Sequence, residues 1–144
     1  MDGMIEVDGR VLDLEQVMKT LPQVTMAPKH YFADGLYCRE LMIPKGTLLT
    51  GMIHKKEHII ILFSGELSLW DGDGWARVKA PYFNIAPAGS KRMGYAHEDT
   101  VGMNIIATDI TDVDEIESAL TCKSYEDYQL YLELKEAVCS PTLP

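Results

Sequence analysis

A chain of 144 residues and 16.1 kDa has room for one compact domain, expected to span residues 1–144. With 47% apolar and 24% charged residues it can build a real core, which excludes intrinsic disorder and a disulfide-stapled mini-fold. A net charge of −9 opposes any partner that relies on long-range attraction to a polyanion, so neither a nucleic acid polymer nor an anionic membrane surface is expected to bind.

The acidic start Met1-Asp2-Gly3 lacks the basic and apolar stretches of a signal peptide. The longest aliphatic run, Ile59 to Phe63, is far short of the ~20 residues of a membrane span, and a cytoplasmic location is expected. Leu14, Val17, Met18 and Leu21 stand at i, i+3, i+4 and i+7, which predicts a short helix from Asp13 to Leu21, stopped by Pro22.

From Leu36 to about Ala107 the pattern changes to short runs of Ile, Leu, Val, Tyr and Phe. They are punctuated by Pro44-Lys45-Gly46, Ser64-Gly65, Asp71-Gly72-Asp73-Gly74, Ala80-Pro81 and Pro87-Ala88-Gly89. Roughly eight strands separated by such turns predict an all-β barrel or sandwich. Trp70 and Trp75 flank the Asp-Gly repeat, which lacks the ligand series of a calcium loop and reads as a hairpin turn.

Two helices are predicted over about 112–139. The first has Thr111 or Asp112 as N-cap, Glu115 positioned to reach back, and Ile116, Ala119 and Leu120 as its apolar face. The second starts at Ser124, with Asp127 in its first turn and Leu130, Leu134, Ala137 and Val138 as its stripe; Pro141 and Pro144 close the chain. Tyr125, Tyr128 and Tyr131 recur every three residues, as one docking face would. Cys38, Cys122 and Cys139 match no zinc or redox spacing and read as reduced structural thiols.

The segment Gly51 to Gly65 carries His54, Lys55, Lys56, Glu57 and His58 ahead of an apolar run. It resembles the first motif of the cupin superfamily, an H-x-H followed by a glutamate and then a glycine. Anchored on Gly65, the chain has Met52 at the first histidine position, His54 at the second and His58 at the glutamate position. Pro87-Ala88-Gly89-Ser90-Lys91-Arg92 is similar to the second motif, P-x-G-x-x-H, with Arg92 in place of histidine and Ala96 in place of the following asparagine. The resemblance implies an all-β, cupin-type double-stranded β-helix, a jelly-roll barrel of about 36–107 with short N- and C-terminal helices. The whole chain is also similar to short cupin-like proteins of tailed phages, which implies an accessory role.

Three readings follow. In the first, a guanidinium at a metal-ligand position implies capture of an anionic small molecule, a sugar phosphate or nucleotide such as a host signal. Arg92 leads, Lys91, Lys55 and Lys56 assist in a positive mouth, and Tyr95, His54 and His58 add polar contacts. In the second, a divalent transition metal held by His54, His58 and His97, with Glu57 or Tyr95 in reserve, supports a metal-dependent isomerase or oxygenase. In the third, the barrel and its tyrosine-bearing helix form a non-catalytic oligomer. A homodimer through exposed sheet edges and the C-terminal helix is expected in any case.

Overall fold

The computed structural model describes Val11, residues 13–70 and residues 72–139. The terminal segments Met1-Asp2-Gly3 and Pro141 to Pro144, together with Asp71, lie outside the described residues. Helix α1 covers residues 13–18 and ends before Pro22, where the Gln23 side-chain amide donates to the carbonyls of Met18 (2.9 Å) and Leu21 (2.8 Å). Val17 and Leu21 remain exposed, so only part of the predicted stripe is used.

Between Leu36 and Ala107 the described residues form nine strands, one more than the turn signals suggest. These are β2 (Leu36–Ile43), β3 (Leu48–Thr50), β4 (Ile53–His54), β5 (His58–Ser64), β6 (Glu66–Trp70), β7 (Trp75–Lys79), β8 (Tyr82–Ala86), β9 (Met93–Ala96) and β10 (Thr100–Ala107). The two-residue β4 is too short to leave an alternating pattern. A further strand, β1 (Lys29–Ala33), precedes them and joins β2 through Asp34-Gly35, with Gly35 at φ 72°. That Asp-Gly pair is a hairpin signal the turn inventory missed.

All pairing is antiparallel, in a five-stranded sheet ordered β1-β2-β10-β5-β8 and a four-stranded sheet ordered β3-β9-β6-β7. Their inner faces meet at Ile43 and Leu62 of the first sheet and Leu67 and Ala96 of the second, a buried cluster closing one end. Trp70 pairs with Trp75 across the β6–β7 hairpin, as a turn between them requires. The result is the all-β jelly roll with flanking helices.

Helix α2 (Val113–Leu120) starts at Asp112, whose carboxylate accepts from the Asp114 N–H at 2.9 Å. Ile116 and Leu120 pack on Tyr37 and Ile106, closing the other end of the barrel. Strand β11 (Thr121–Cys122) pairs with β4, and α3 (Tyr125–Cys139) follows, with the Ser124 hydroxyl accepting from the Asp127 N–H. Of the two α3 faces the sequence marks, the tyrosine face docks and the aliphatic stripe does not. Tyr128 is buried beside Ile53 and Cys122, with Tyr125, Tyr131 and Leu132 against them, while Leu130, Leu134 and Val138 are exposed. Tyrosine wins because its phenol can lie on apolar surface and still reach a polar partner: Tyr125 Oη donates to the Gly89 carbonyl at 3.0 Å. Cys38 and Cys122 are free thiols; the Cys139 side chain lies outside the described residues.

Candidate functional site

The barrel encloses a cavity of about 470 Å³ between the buried end and α2. Strand alternation decides what lines it. On β2, Tyr37, Arg39, Leu41 and Ile43 face in; on β5, His58, Ile60 and Leu62 do; on β10, Gly102, Asn104 and Ile106 complete the wall. The lining is mostly aliphatic, with a polar band of Arg39, Asn104, His54, His58, Ser90 and Arg92.

Both motif glycines have a physical reason. Gly65 sits at φ 90° where a Cβ would strike Thr100 and the Asp99 carbonyl, and Gly89 sits at φ 82° with Tyr128 against the place a Cβ would occupy. The second contact lets α3 press on the loop carrying Ser90, Lys91 and Arg92. His54 is fixed from both sides by backbone bonds, its N–H donating to the Ser90 carbonyl (3.1 Å) and its carbonyl accepting from the Gly89 N–H (2.7 Å).

The structure brings His54, His58 and Arg92 to one cavity. The two imidazoles stack with centroids 4.0 Å apart. Burial, reinforced by His58, Arg39 and Arg92, lowers the His54 pKa from 6.5 to about 3. Burial also lowers His58, helped by Arg92 and opposed by a hydrogen bond to the Lys56 carbonyl. In that bond Nδ1 donates (3.1 Å), so in the neutral ring Nε2 is an acceptor. Arg92 Nε and Ser90 Oγ are both buried without a hydrogen-bond partner among the described residues.

Other expected site residues lie elsewhere. Lys91 is 7% exposed and points away from the cavity, its ammonium bonded to Glu15 (2.7 Å) and the Gly51 carbonyl (2.9 Å). Its neighbour Arg92 faces in, because adjacent residues project oppositely in extended chain. Lys55 donates to the Ser118 carbonyl (3.0 Å) and lies over the Tyr131 ring, and Lys56 donates to the Ala107 carbonyl (3.2 Å). Tyr95 is exposed and meets His97 edge-on, while His97 Nε2 bonds to Ser68 Oγ at 2.7 Å. Neither lines the cavity. Glu57 is exposed, and Glu66 is taken by Arg77 at 2.7 Å.

Arg39 and His30 were not singled out in the sequence. Arg39 is solvent-exposed yet lines the cavity, which places it where the cavity opens. His30, its partner across β1–β2, bonds through Nδ1 to the Tyr37 hydroxyl at 2.7 Å. The alternation Tyr37, Arg39, Leu41, Ile43 was the signal that placed Arg39 inside.

The metal that a cupin fold implies does not fit these donors. The imidazoles of His30, His54 and His58, the Glu117 carboxylate and the Met52 thioether line the cavity with two guanidiniums, but among the described residues no three His, Cys, Asp or Glu side chains cluster closely enough to hold a metal. The charges that suppress protonation of His54 act in the same direction on any other cation.

No protein-family model matches the chain, and no curated protein matches it. Solved structures do. KdgF from a Halomonas species superposes with a TM-score of 0.54 at 13% identity, covering 67% of this chain and 91% of that one. A cupin superfamily protein from Desulfitobacterium hafniense gives 0.52 at 10% identity, covering 62% and 83%. The DMSP lyase DddQ from Ruegeria pomeroyi gives 0.52 at 15% identity, covering 61% of this chain and 49% of that one. The chain therefore has the cupin fold, and at such identities the likeness extends to the fold alone. No helix among the described residues is long and apolar enough to cross a membrane.

Proposed function

We propose that this chain captures a small anionic molecule inside its barrel, with the anion between Arg92 and Arg39 and the remainder of the ligand against the aliphatic wall. The observation that carries the reading is a pair of buried polar atoms lining the cavity, Arg92 Nε and Ser90 Oγ, that have no hydrogen-bond partner among the described residues. A buried guanidinium donor without an acceptor is costly, and a carboxylate or phosphate relieves that cost through paired bonds. His58 Nε2 supplies an acceptor for a ligand hydroxyl, and about 470 Å³ lies within the ~300–1,000 Å³ usual for small-molecule sites. Capture fits better than turnover: a His54 ring with a pKa near 3 is too weak a base to take protons at neutral pH.

Calorimetric titration with sugar phosphates, mononucleotides, cyclic dinucleotides and short aliphatic carboxylates tests the reading. For the best ligand, Arg92→Ala is expected to weaken binding by about 10- to 150-fold, the loss of a charge-assisted bond worth ~1.5–3 kcal/mol. Lys55→Ala and Lys56→Ala are expected to leave affinity unchanged, because those ammonium groups are engaged outside the cavity. No panel member binding below millimolar, or an Arg92→Ala variant as tight as the parent, overturns it.

A further inference from the structure

We propose that the ligand of this barrel is an aliphatic carboxylate of medium chain length, its head held at the arginines and its tail in an apolar chamber that Gly94 and Gly102 open. The inference rests on the anion-capture reading and names the class of anion. Along the strands the cavity wall changes character in steps of two residues. On β2 the inward side chains run Tyr37, Arg39, Leu41 and Ile43, and on the antiparallel β10 they run Ile106, Asn104 and Gly102. Register sets Asn104 opposite Arg39 at the polar level and Gly102 opposite Leu41 one step deeper. In the other sheet Gly94 of β9 stands one such step past Arg92, between Leu49 and Leu69 on the neighbouring strands.

Neither glycine is there for its backbone. Unlike Gly65 and Gly89, Gly94 and Gly102 do not have a positive φ, and any residue could take their conformation. Sterics do not require them either. A Cβ at Gly102 would meet Leu62 Cδ2 at 3.5 Å, and one at Gly94 would meet Leu49 Cδ2 at 3.4 Å and Leu69 Cδ2 at 3.5 Å, all ordinary contacts. A glycine inside a strand weakens it, and such a position commonly marks the close approach of a ligand. Both line the cavity, each one step beyond the polar band, so together they leave the room that a narrow chain needs.

The walls decide the class of ligand. Beyond the glycines the cavity is lined by Leu41, Ile43, Leu49, Leu62, Leu67 and Leu69, side chains with no donor or acceptor. A sugar or base buried among them would leave its polar atoms unpaired, whereas an alkyl chain gains by leaving water. From Arg39 to Ile43 the strand advances about 13 Å at ~3.3 Å per residue, room for an extended chain of medium length. The head group follows from Arg92 Nε and Ser90 Oγ, which have no partner among the described residues, because a guanidinium edge matches a planar carboxylate through two parallel bonds. The Glu117 carboxylate also lines the cavity, so a singly charged head meets less repulsion than a doubly charged phosphate.

Calorimetric titration of the full chain with straight-chain carboxylates from butanoate to dodecanoate tests the proposal, with octanol and a hexose phosphate as comparison ligands. Affinity is expected to rise about fourfold per methylene and to level off once the chamber is full. Octanoate is expected to bind at least tenfold more tightly than octanol, which lacks the charge. Gly102→Val and Gly94→Val are each expected to lower the ratio of decanoate to butanoate affinity about tenfold or more. Gly102→Ala and Gly94→Ala, which backbone and neighbours accept, are expected to shift that ratio the same way by less, and they carry the test where a valine variant does not fold. A series flat in chain length, or four glycine variants with the parent's chain-length profile, overturns the proposal. The two readings fail separately. A hexose phosphate bound more tightly than octanoate and dependent on Arg92 removes the alkyl tail and leaves anion capture standing, while octanol bound as tightly as octanoate removes the anionic head and anion capture with it.

Discussion

At the scale of single residues, two buried groups set the chemistry of the barrel, and each makes a prediction. His54 has a folded pKa of about 3 against 6.5 when unfolded, so the unfolded chain binds the extra proton as the solution is acidified. The sign follows: the stabilisation is complete above pH 6.5 and is lost as pH falls towards 3, at roughly 1.4 kcal/mol per pH unit from this ring alone. Urea denaturation from pH 7 to pH 4 is expected to show that decline, with a shallower slope in His54→Gln. The second group is the Lys91–Glu15 pair, whose side chains are 5% and 19% exposed. Glu15→Gln leaves a buried ammonium with only the Gly51 carbonyl and is expected to cost about 3 kcal/mol, whereas Glu15→Gln with Lys91→Met should recover most of it. The same pair explains why Lys91 was misread in the sequence. Beside Arg92 in a basic cluster it looks like a ligand, and nothing local announces that Glu15 waits on the opposite side of the chain. Arg39 went unmarked for the converse reason: it stands in no ligand-like motif, and only the β2 alternation with its register across from Asn104 places it at the cavity.

At the scale of elements, α2 and α3 hold the site shut and in shape. Tyr128 stands where a Gly89 side chain would go, and Tyr125 bonds the Gly89 carbonyl, so α3 and the loop of residues 87–92 form one unit. Gly89→Ala is expected to lower stability by at least ~1–2 kcal/mol from the left-handed backbone alone, and to weaken ligand binding by displacing Arg92. Differential scanning calorimetry checks the first effect and titration the second; a Gly89→Ala protein with parental stability and affinity would show that the tyrosines yield freely. What was legible at this scale was the punctuation. Gly65, Gly89 and the proline turns mark a jelly roll because each sits where the backbone demands it. On α3 the tyrosine face was legible as a docking face, whereas the leucine stripe, which helical spacing makes look like core, is left exposed.

At the scale of the whole molecule the field matters more than any pair. The sequence suggested a positive mouth on a negative body, yet Lys91 is neutralised by Glu15, and Lys55 and Lys56 are drawn to carbonyl oxygens outside the cavity. The wall that α2 contributes brings Glu117 instead, while Asp114 and Glu115 stand in the first turn of that helix and no basic residue in its last. An anionic ligand therefore approaches a body of net charge −9 against repulsion and meets attraction only on reaching Arg39 and Arg92. Raising ionic strength from 0.01 M to 0.15 M shortens the screening length from about 30 Å to about 8 Å, which weakens the long-range repulsion while leaving the desolvated contact largely intact. Stopped-flow association of the best anion is thus expected to accelerate severalfold over that range, with little change in the dissociation rate. Association that slows as salt is added would mean that the approach is dominated by positive charge, restoring Lys55 and Lys56 to the entrance and contradicting the contacts that hold them.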